Sequence, residues 1–239
     1  PIVMAWQWGG GWLAAIGFSD FAGSTLVHST GGAAALAGII ILGPRFGRFD
    51  NKGNPKAIQP FAASSIPLVT IGVFVLWLGW FGFNGGSQLA LGSFADAVAI
   101  STIFINTNLA ACGGVLAAAV ITRLLFGKTD VVQMLNGAIG GLVAITAEPL
   151  APTPLAAILI GAMGGVIVVF GTKLLFSFKL DDVVGAIPAH MFAGIFGTLV
   201  VPITNADATF SAQLIGVLSI NIFVFVVAYI IWSIMHSLF

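Results

Sequence analysis

The sequence predicts an all-α protein that crosses a membrane several times. Hydrophobic residues make up 59% of the 239 residues and charged residues only 7%, and the mean hydropathy is +1.10. Soluble domains carry about 25% charged residues, so water is not the main solvent of this chain. The formal net charge is zero, which argues against a nucleic-acid partner.

Long apolar runs are the second observation. A helix needs about 17–25 apolar residues to cross a bilayer. Seven runs reach this length, with charged residues, prolines and asparagines between them: residues 23–43, 60–84, 97–122, 131–149, 153–177, 185–204 and 211–238.

The third observation is the placement of the basic residues. All eight fall in alternate connections: Arg45, Arg48, Lys52, Lys56, Arg123, Lys128, Lys173 and Lys179. The positive-inside rule makes that side cytoplasmic. We therefore expect a multi-pass protein of the plasma membrane (a bacterial inner membrane), with Trp8 and Asp20 outside and the C-terminus cytoplasmic.

Two segments share the pattern Asp-x2-Gly-x4-His-x3-Gly, at residues 20–32 and 182–194. The predicted topology sends their helices in opposite directions, as in an inverted repeat whose substrate site lies at the midplane. Each His lies eight residues after its Asp, which is about 12 Å of helix. His28 and His190 should therefore meet near the middle of a core about 30 Å thick. Asp20 and Asp182 should cap the helix N-termini.

The repeat also predicts the organisation of the chain. Residues 1–239 form one transmembrane domain, in which 20–43 is the last helix of a first repeat, 60–204 a second repeat and 211–239 a final helix. By symmetry, four helices should precede the His28 helix. We expect the chain to lack them and to be truncated at both ends.

These motifs, together with residues 8–12, 79–87, 136–146 and 181–190, resemble the Amt/Mep/Rh ammonium transporter family, most closely its Amt branch. The resemblance covers the family's fifth to eleventh spans. It implies the inverted-repeat ammonium transporter fold, with seven of the usual eleven transmembrane helices present, in a homotrimer with one pore per protomer. It also implies transport of ammonium or ammonia, with methylammonium as an analogue, and it allows a cytoplasmic regulatory partner of the PII type.

His28 and His190 are the strongest site candidates, because an ionisable residue inside a span marks a function by default. A hydrogen-bonded imidazole pair could offer polar contacts to ammonia and relay a proton. Two alternatives stay open: structural histidines with satisfied hydrogen bonds, and bis-His ligation of a haem.

The resemblance assigns an outer ammonium site to Trp8, Ser87 and Thr146. An aromatic face attracts a cation, and hydroxyl oxygens accept hydrogen bonds from ammonium. The alternative for Trp8 is an interfacial anchor.

The resemblance also makes Phe83 a gate ring and Trp80 part of the pore wall, although aromatic residues in spans usually serve packing. Asp20 and Asp182 are expected to act structurally and electrostatically. The chain departs from the commonest bacterial pattern at Gly185, where an acid often stands five residues before the second His.

No metal, cofactor or nucleotide motif is apparent, so the sequence predicts a transporter without a cofactor and not an enzyme. The alternative function is an ammonium sensor, in which such a domain binds the ion and signals through a fused module.

Overall fold

The computed structural model describes residues 1–49 and 62–238, and its regular elements are helices. The predicted all-α class is confirmed. In chain order the helices are α1 Ile2–Gln7, α2 Trp12–Ala15, α3 Ser24–Leu42, α4 Ile66–Gly86, α5 Phe94–Phe126, α6 Val131–Ile145, α7 Pro154–Ser177, α8 Ile187–Thr204 and α9 Phe210–Leu238. Lys52, Lys56 and the start of the second predicted span lie outside the described residues.

Six of these helices are long and apolar enough to cross a membrane, whereas the sequence predicted seven spans. The fourth predicted span, residues 131–149, contains the helix α6 of only 15 residues. It measures about 22 Å, less than a hydrocarbon core of about 30 Å. The helix stops early because the Thr146 N–H bonds to the Val143 carbonyl in a tighter turn, and the following Pro149 and Pro152 cannot extend it.

Side-chain caps explain where four of the helices begin. Each cap places an oxygen on a free backbone N–H of the first turn, which stabilises the helix start. Ser93 and Asp96 form a reciprocal capping box at the start of α5. The other three caps are Ser65, Asp130 and Thr153, ahead of α4, α6 and α7.

The helices α5, α6 and α7 pack through glycines, and we call them the glycine-packed block. A Cβ added at Gly140 would lie 2.9 Å from the Gly164 carbonyl oxygen, and one at Gly137 would lie 2.7 Å from the Gly114 carbonyl oxygen. Side chains at these positions would force the backbones apart. Small residues allow this kind of close approach between membrane helices.

The two His-bearing helices run in opposite directions beside α6. The start of α3 lies at the end of α6, where the Phe21 N–H bonds to the Ala147 carbonyl at 2.8 Å. The start of α8 lies near the beginning of α6, where the Asn136 amide donates to the Val184 carbonyl at 2.9 Å. This antiparallel arrangement is the one that an inverted repeat requires.

Candidate functional site

The chain enters α3 through a turn capped by Asp20. The Asp20 carboxylate accepts four backbone N–H bonds of 2.8–3.1 Å, from Gly23, Ser24, Thr25 and Leu26. Its side chain is fully buried. Burial raises the pKa of Asp20 above its ordinary value, and the four N–H bonds act in the opposite direction.

Asp182 caps α8 in the same way. It accepts N–H bonds of 2.7–3.4 Å from Val184, Gly185, Ala186 and Ile187. Gly185 has φ +76°, and its counterpart Gly23 has φ +108°. An L side chain is strained at such angles, so the capping turn itself explains why this chain has glycine at position 185.

Both histidines lie in π-helical turns, which the sequence analysis did not predict. The π-helical segment of α3 is Ser24–Ser29, and that of α8 is Ile187–Phe192. In the first of them, the His28 N–H bonds to the Gly23 carbonyl five residues earlier, at 3.0 Å. Such wide turns are rare and occur frequently at functional sites.

The two imidazoles lie side by side. The Nδ1 atoms of His28 and His190 are 3.3 Å apart, and the two ring planes are 24° from parallel with their centroids 5.3 Å apart. A bond between two ring nitrogens requires one to donate and the other to accept. The rings border a cavity of about 270 Å³ with mainly small and apolar walls, lined by Val27, His28, Gly31, Gly32, Ala186 and His190.

Two further aromatic rings cover His28. The Trp80 indole stacks on it with a centroid distance of 4.8 Å, and the Phe83 ring lies 5.2 Å away. Trp80 and Phe83 are themselves 5.8 Å apart. The structure therefore brings together four of the predicted site residues.

Thr146 belongs to this inner cluster. Its side chain is fully buried, and its hydroxyl accepts a hydrogen bond from the Trp80 indole N–H at 2.9 Å. The hydroxyl also contacts the Leu142 carbonyl and the side-chain oxygen of Asn84, at 2.7 and 3.2 Å. The contacts of Thr146 are thus those of a residue that orients Trp80.

Trp8 and Ser87 have other hydrogen-bond partners. The Trp8 indole N–H donates to the backbone carbonyl of Asp20 at 2.9 Å, and Trp8 is about half exposed. The Ser87 hydroxyl donates to the Phe83 carbonyl at 3.0 Å. These bonds do not join Trp8, Ser87 and Thr146 into one cluster.

A buried polar clamp around α3 was not predicted from the sequence. The Thr25 hydroxyl contacts that of Thr198 in α8 at 2.7 Å, and the Ser29 hydroxyl donates to Asn221 of α9 at 2.6 Å. Gln213 of α9 also bonds the backbone of Ser19. Polar residues inside apolar helices were the available signal, because burial in lipid or protein requires them to find partners.

A basic cluster lies at the other end of the site. Arg45 and Arg48, which follow α3, both contact the Asp181 carboxylate, at 2.7 and 3.2 Å. The hydrogen bond from Arg45 holds the pKa of Asp181 below its ordinary value. The connection after α3 is thereby tied to the residue directly before the Asp182 cap.

Among residues 1–49 and 62–238, no three His, Cys, Asp or Glu side chains form a group that could hold a metal ion. The Nδ1 atoms of His28 and His190, 3.3 Å apart, are too close to bind one iron atom from opposite sides at about 2.0 Å each.

Comparison with known proteins extends these observations. The family model described as Ammonium Transporter Family matches residues 1–239. A relative from Synechocystis sp. is 44% identical over 240 residues, which are 98% of this chain and 53% of the relative. Ammonium transporter Amt2 of Archaeoglobus fulgidus is 44% identical over 209 residues, which are 83% of this chain and 43% of that protein. The chain spans about half the length of these relatives.

Two solved structures are similar in fold. A structure titled "Sensor Amt Protein" has a TM-score of 0.91 and 32% identity, and the match covers 99% of this chain and 61% of that one. The crystal structure of Candida albicans Mep2 has a TM-score of 0.85 and 28% identity, with 96% and 53% covered.

Proposed function

The chain belongs to the ammonium transporter family, as its motifs predicted, and we propose that it moves ammonium or ammonia across a membrane past His28 and His190. One observation carries the role of the pair. The Nε2 atom of His28 is buried and has no hydrogen-bond partner among the described residues. Buried polar atoms are nearly always paired, so this nitrogen is open to a small polar guest.

The tautomers of a neutral pair make its two outer nitrogens different. If His28 Nδ1 carries the shared proton, His28 Nε2 is bare and accepts, while His190 Nε2 carries a proton and donates. An ammonium ion that gives its proton to the bare nitrogen leaves as ammonia. The shared proton then shifts to His190, and His190 Nε2 releases its own. Proton and ammonia thus travel separately, and methylammonium follows as an analogue.

The surrounding residues have proposed roles in the same path. The half-exposed Trp8 ring attracts the cation at the outer mouth, where the Ser87 hydroxyl oxygen adds an acceptor. Phe83 is the gate ring, and Trp80 is the pore wall above His28. Thr146 acts at the outer site through Trp80, whose indole it holds. Asp20 and Asp182 cap the two helices and bias the local field towards cations.

We propose the membrane setting that the basic connections indicate. The basic side is cytoplasmic, the location is a plasma membrane (a bacterial inner membrane), and the assembly is a homotrimer with one pore per protomer. The domain consists of the last helix of a first repeat at residues 20–43, a second repeat at residues 60–204 and a final helix at residues 211–239. A PII-type protein is a candidate cytoplasmic partner, and the activity is transport and not enzymatic conversion.

The test replaces each histidine separately. His28→Ala and His190→Ala should lower ammonium-induced currents of the protein in proteoliposomes by about 100-fold, since each substitution removes one half of the proton relay. Solid-supported-membrane recording measures these currents. The matched control is His236→Ala, which makes the same change at an exposed position near the end of α9.

The control should keep the wild-type current. Wild-type flux and selectivity in both pore variants would refute the role of the pair.

A second candidate function is ammonium sensing, favoured by the similarity to the structure titled "Sensor Amt Protein". A sensor binds the ion but carries no steady flux. Calorimetric binding of methylammonium without current in the same preparation would favour the sensor, and current at every binding concentration would favour the transporter.

A further inference from the structure

The short helix α6 contacts the entry turns of both His-bearing helices. At its far end, the carbonyls of Thr146 and Ala147 accept the N–H groups of Ala22 and Phe21 at 3.0 and 2.8 Å. One turn earlier, the Val143 carbonyl accepts the Ser24 hydroxyl at 2.6 Å. The end of α6 is thereby fixed to the turn that Asp20 caps.

Near its beginning, α6 is joined to the other turn by one side chain. The Asn136 amide nitrogen donates to the Val184 carbonyl at 2.9 Å. A Cβ at Gly185 would lie 2.6 Å from that nitrogen, so the turn passes directly over Asn136. Val184 and Gly185 lie within the loop that the Asp182 carboxylate caps.

The lengths of these segments agree with a direct encounter of the rings. Asn136 and Ala147 are eleven residues apart, or about 16 Å at a rise of 1.5 Å. His190 lies six residues after Val184 and His28 seven residues after Phe21. Two segments of nearly equal length therefore run towards each other from the two ends of this distance, and the rings meet with their Nδ1 atoms 3.3 Å apart.

The spacing is also rigid. The side of α6 that faces α5 and α7 meets them backbone to backbone at glycines, and residues 137–147 are all buried. A helix held in this way cannot slide along its axis without breaking close contacts.

We propose that α6 is the spacer that sets the separation of the two imidazoles, and that Asn136 is a positioning residue for His190. This inference rests on the proposed function of the His pair. Asn136 acts through the Val184–Gly185 turn, and it touches neither imidazole in the proposed arrangement.

The sharpest variant is Asn136→Asp, which keeps the shape of the side chain but replaces the N–H donor by an oxygen facing the Val184 carbonyl. At pH 8, where the carboxylate is ionised, it should change the ratio of methylammonium to ammonium current by about five-fold, the effect of one lost hydrogen bond. Asn136→Ala removes the bond without repulsion and should change the ratio less. It also keeps the test valid where the Asp variant does not fold.

The control is Gln133→Ala, which removes an amide side chain from the same helix, one turn before Asn136. Among the described residues, no hydrogen bond joins the Gln133 side chain to the Val184–Gly185 turn, so its loss should leave the current ratio at the wild-type value. A change in the control as large as in Asn136→Asp would overturn the positioning role.

A second readout needs no transport. In a Cys112→Ala background with His28→Cys and His190→Cys, dibromobimane becomes fluorescent only when it bridges both thiols. Adding Asn136→Asp should lower the bridging yield several-fold, and adding Gln133→Ala should not. If no variant carries current but bridging still depends on Asn136, the transport function fails and the spacer stands. If neither the bridging yield nor the current ratio changes when Asn136 is replaced, the spacer role of α6 is refuted, even where the variant melts at a lower temperature.

Discussion

The segments around Asp20 and Asp182 have the same local design in different surroundings. Each begins with a carboxylate that accepts four backbone N–H bonds, continues through a glycine at positive φ, and reaches a His in a π-helical turn. Asp20 is fully buried, whereas Asp182 is partly exposed. The local geometry therefore belongs to the motif, and the burial belongs to its place in the fold.

The residues before the two caps sharpen the contrast. Ser19 is bonded by the neutral Gln213 amide, whereas Asp181 is held by Arg45 and Arg48. Equivalent positions of one motif are thus fastened by uncharged hydrogen bonds at one end and by ion pairs at the other. The two ends should respond differently to mutation and to pH.

The largest difference should come from the caps themselves. Asp20→Ala should cost about 4 kcal/mol of unfolding free energy and Asp182→Ala about 2 kcal/mol. The N–H groups freed at the partly exposed Asp182 turn can bond to water instead, whereas those at the buried Asp20 turn cannot. The melting temperatures of the purified variants should fall by roughly 12 °C and 6 °C. Equal losses would mean that burial does not distinguish the two caps.

The stabilisation from the Asp181 ion pairs should depend on pH, whereas that from the Gln213 hydrogen bonds should not. The pKa of Asp181 is lowered by its hydrogen bond from Arg45, so its stabilisation is fully present above the unfolded-state pKa of about 3.9 and is lost as the pH falls through the lower folded value. Asp181→Asn should cost about 3 kcal/mol at pH 7, because the buried Arg48 loses its charged partner. Melting temperatures measured at pH 7 and at successively lower pH should show this cost shrinking below about pH 4.

Gln213→Leu is the comparison for that experiment. It should cost about 2 kcal/mol through lost hydrogen bonds, and the cost should not change with pH because no titrating group is involved. If the stability lost in Asp181→Asn did not depend on pH, ion pairing of Asp181 would not be its cause.

The two glycines should also differ in the cost of substitution. Gly23→Ala should lower the unfolding free energy by about 2 kcal/mol and Gly185→Ala by about 1 kcal/mol. Both substitutions place a side chain at positive φ, but only the added Cβ at position 23 would also meet the Val27 side chain, at 2.5 Å. The neighbour of Gly185 is the movable end of the Asn136 side chain. Melting temperatures in an Asn136→Ala background should show the cost of Gly185→Ala reduced and that of Gly23→Ala unchanged.

Much of the fold was predictable because lipid imposes simple rules on a sequence. Apolar length located the long helices, and the repeated spacing of Asp and His predicted where His28 and His190 should lie. The short α6 was not predictable from hydropathy, since the apolar run continues past Ile145 while the helix does not.

The remaining site features depend on tertiary contacts. A π-helical turn differs from an α-helical one by a single hydrogen-bond register, which leaves no distinct pattern in the sequence. The resemblance grouped Thr146 with Trp8, and the structure shows its hydroxyl accepting the Trp80 indole N–H, because the end of α6 packs against α4. Asn84 lies in the motif at residues 79–87 but was not predicted as a site residue, although it bonds both Thr107 and Thr146.

The glycine-packed block has a consequence for how wide the path can become. At the glycines of α5, α6 and α7 the backbone of one helix lies directly against that of its neighbour, so few side chains there can compress or repack. The wall behind the two motifs therefore leaves the helices little room to move apart. In the proposed transport path, such a wall would keep a constant width, so selection would rest on the solvation and proton affinity of the cargo and larger molecules would not be admitted.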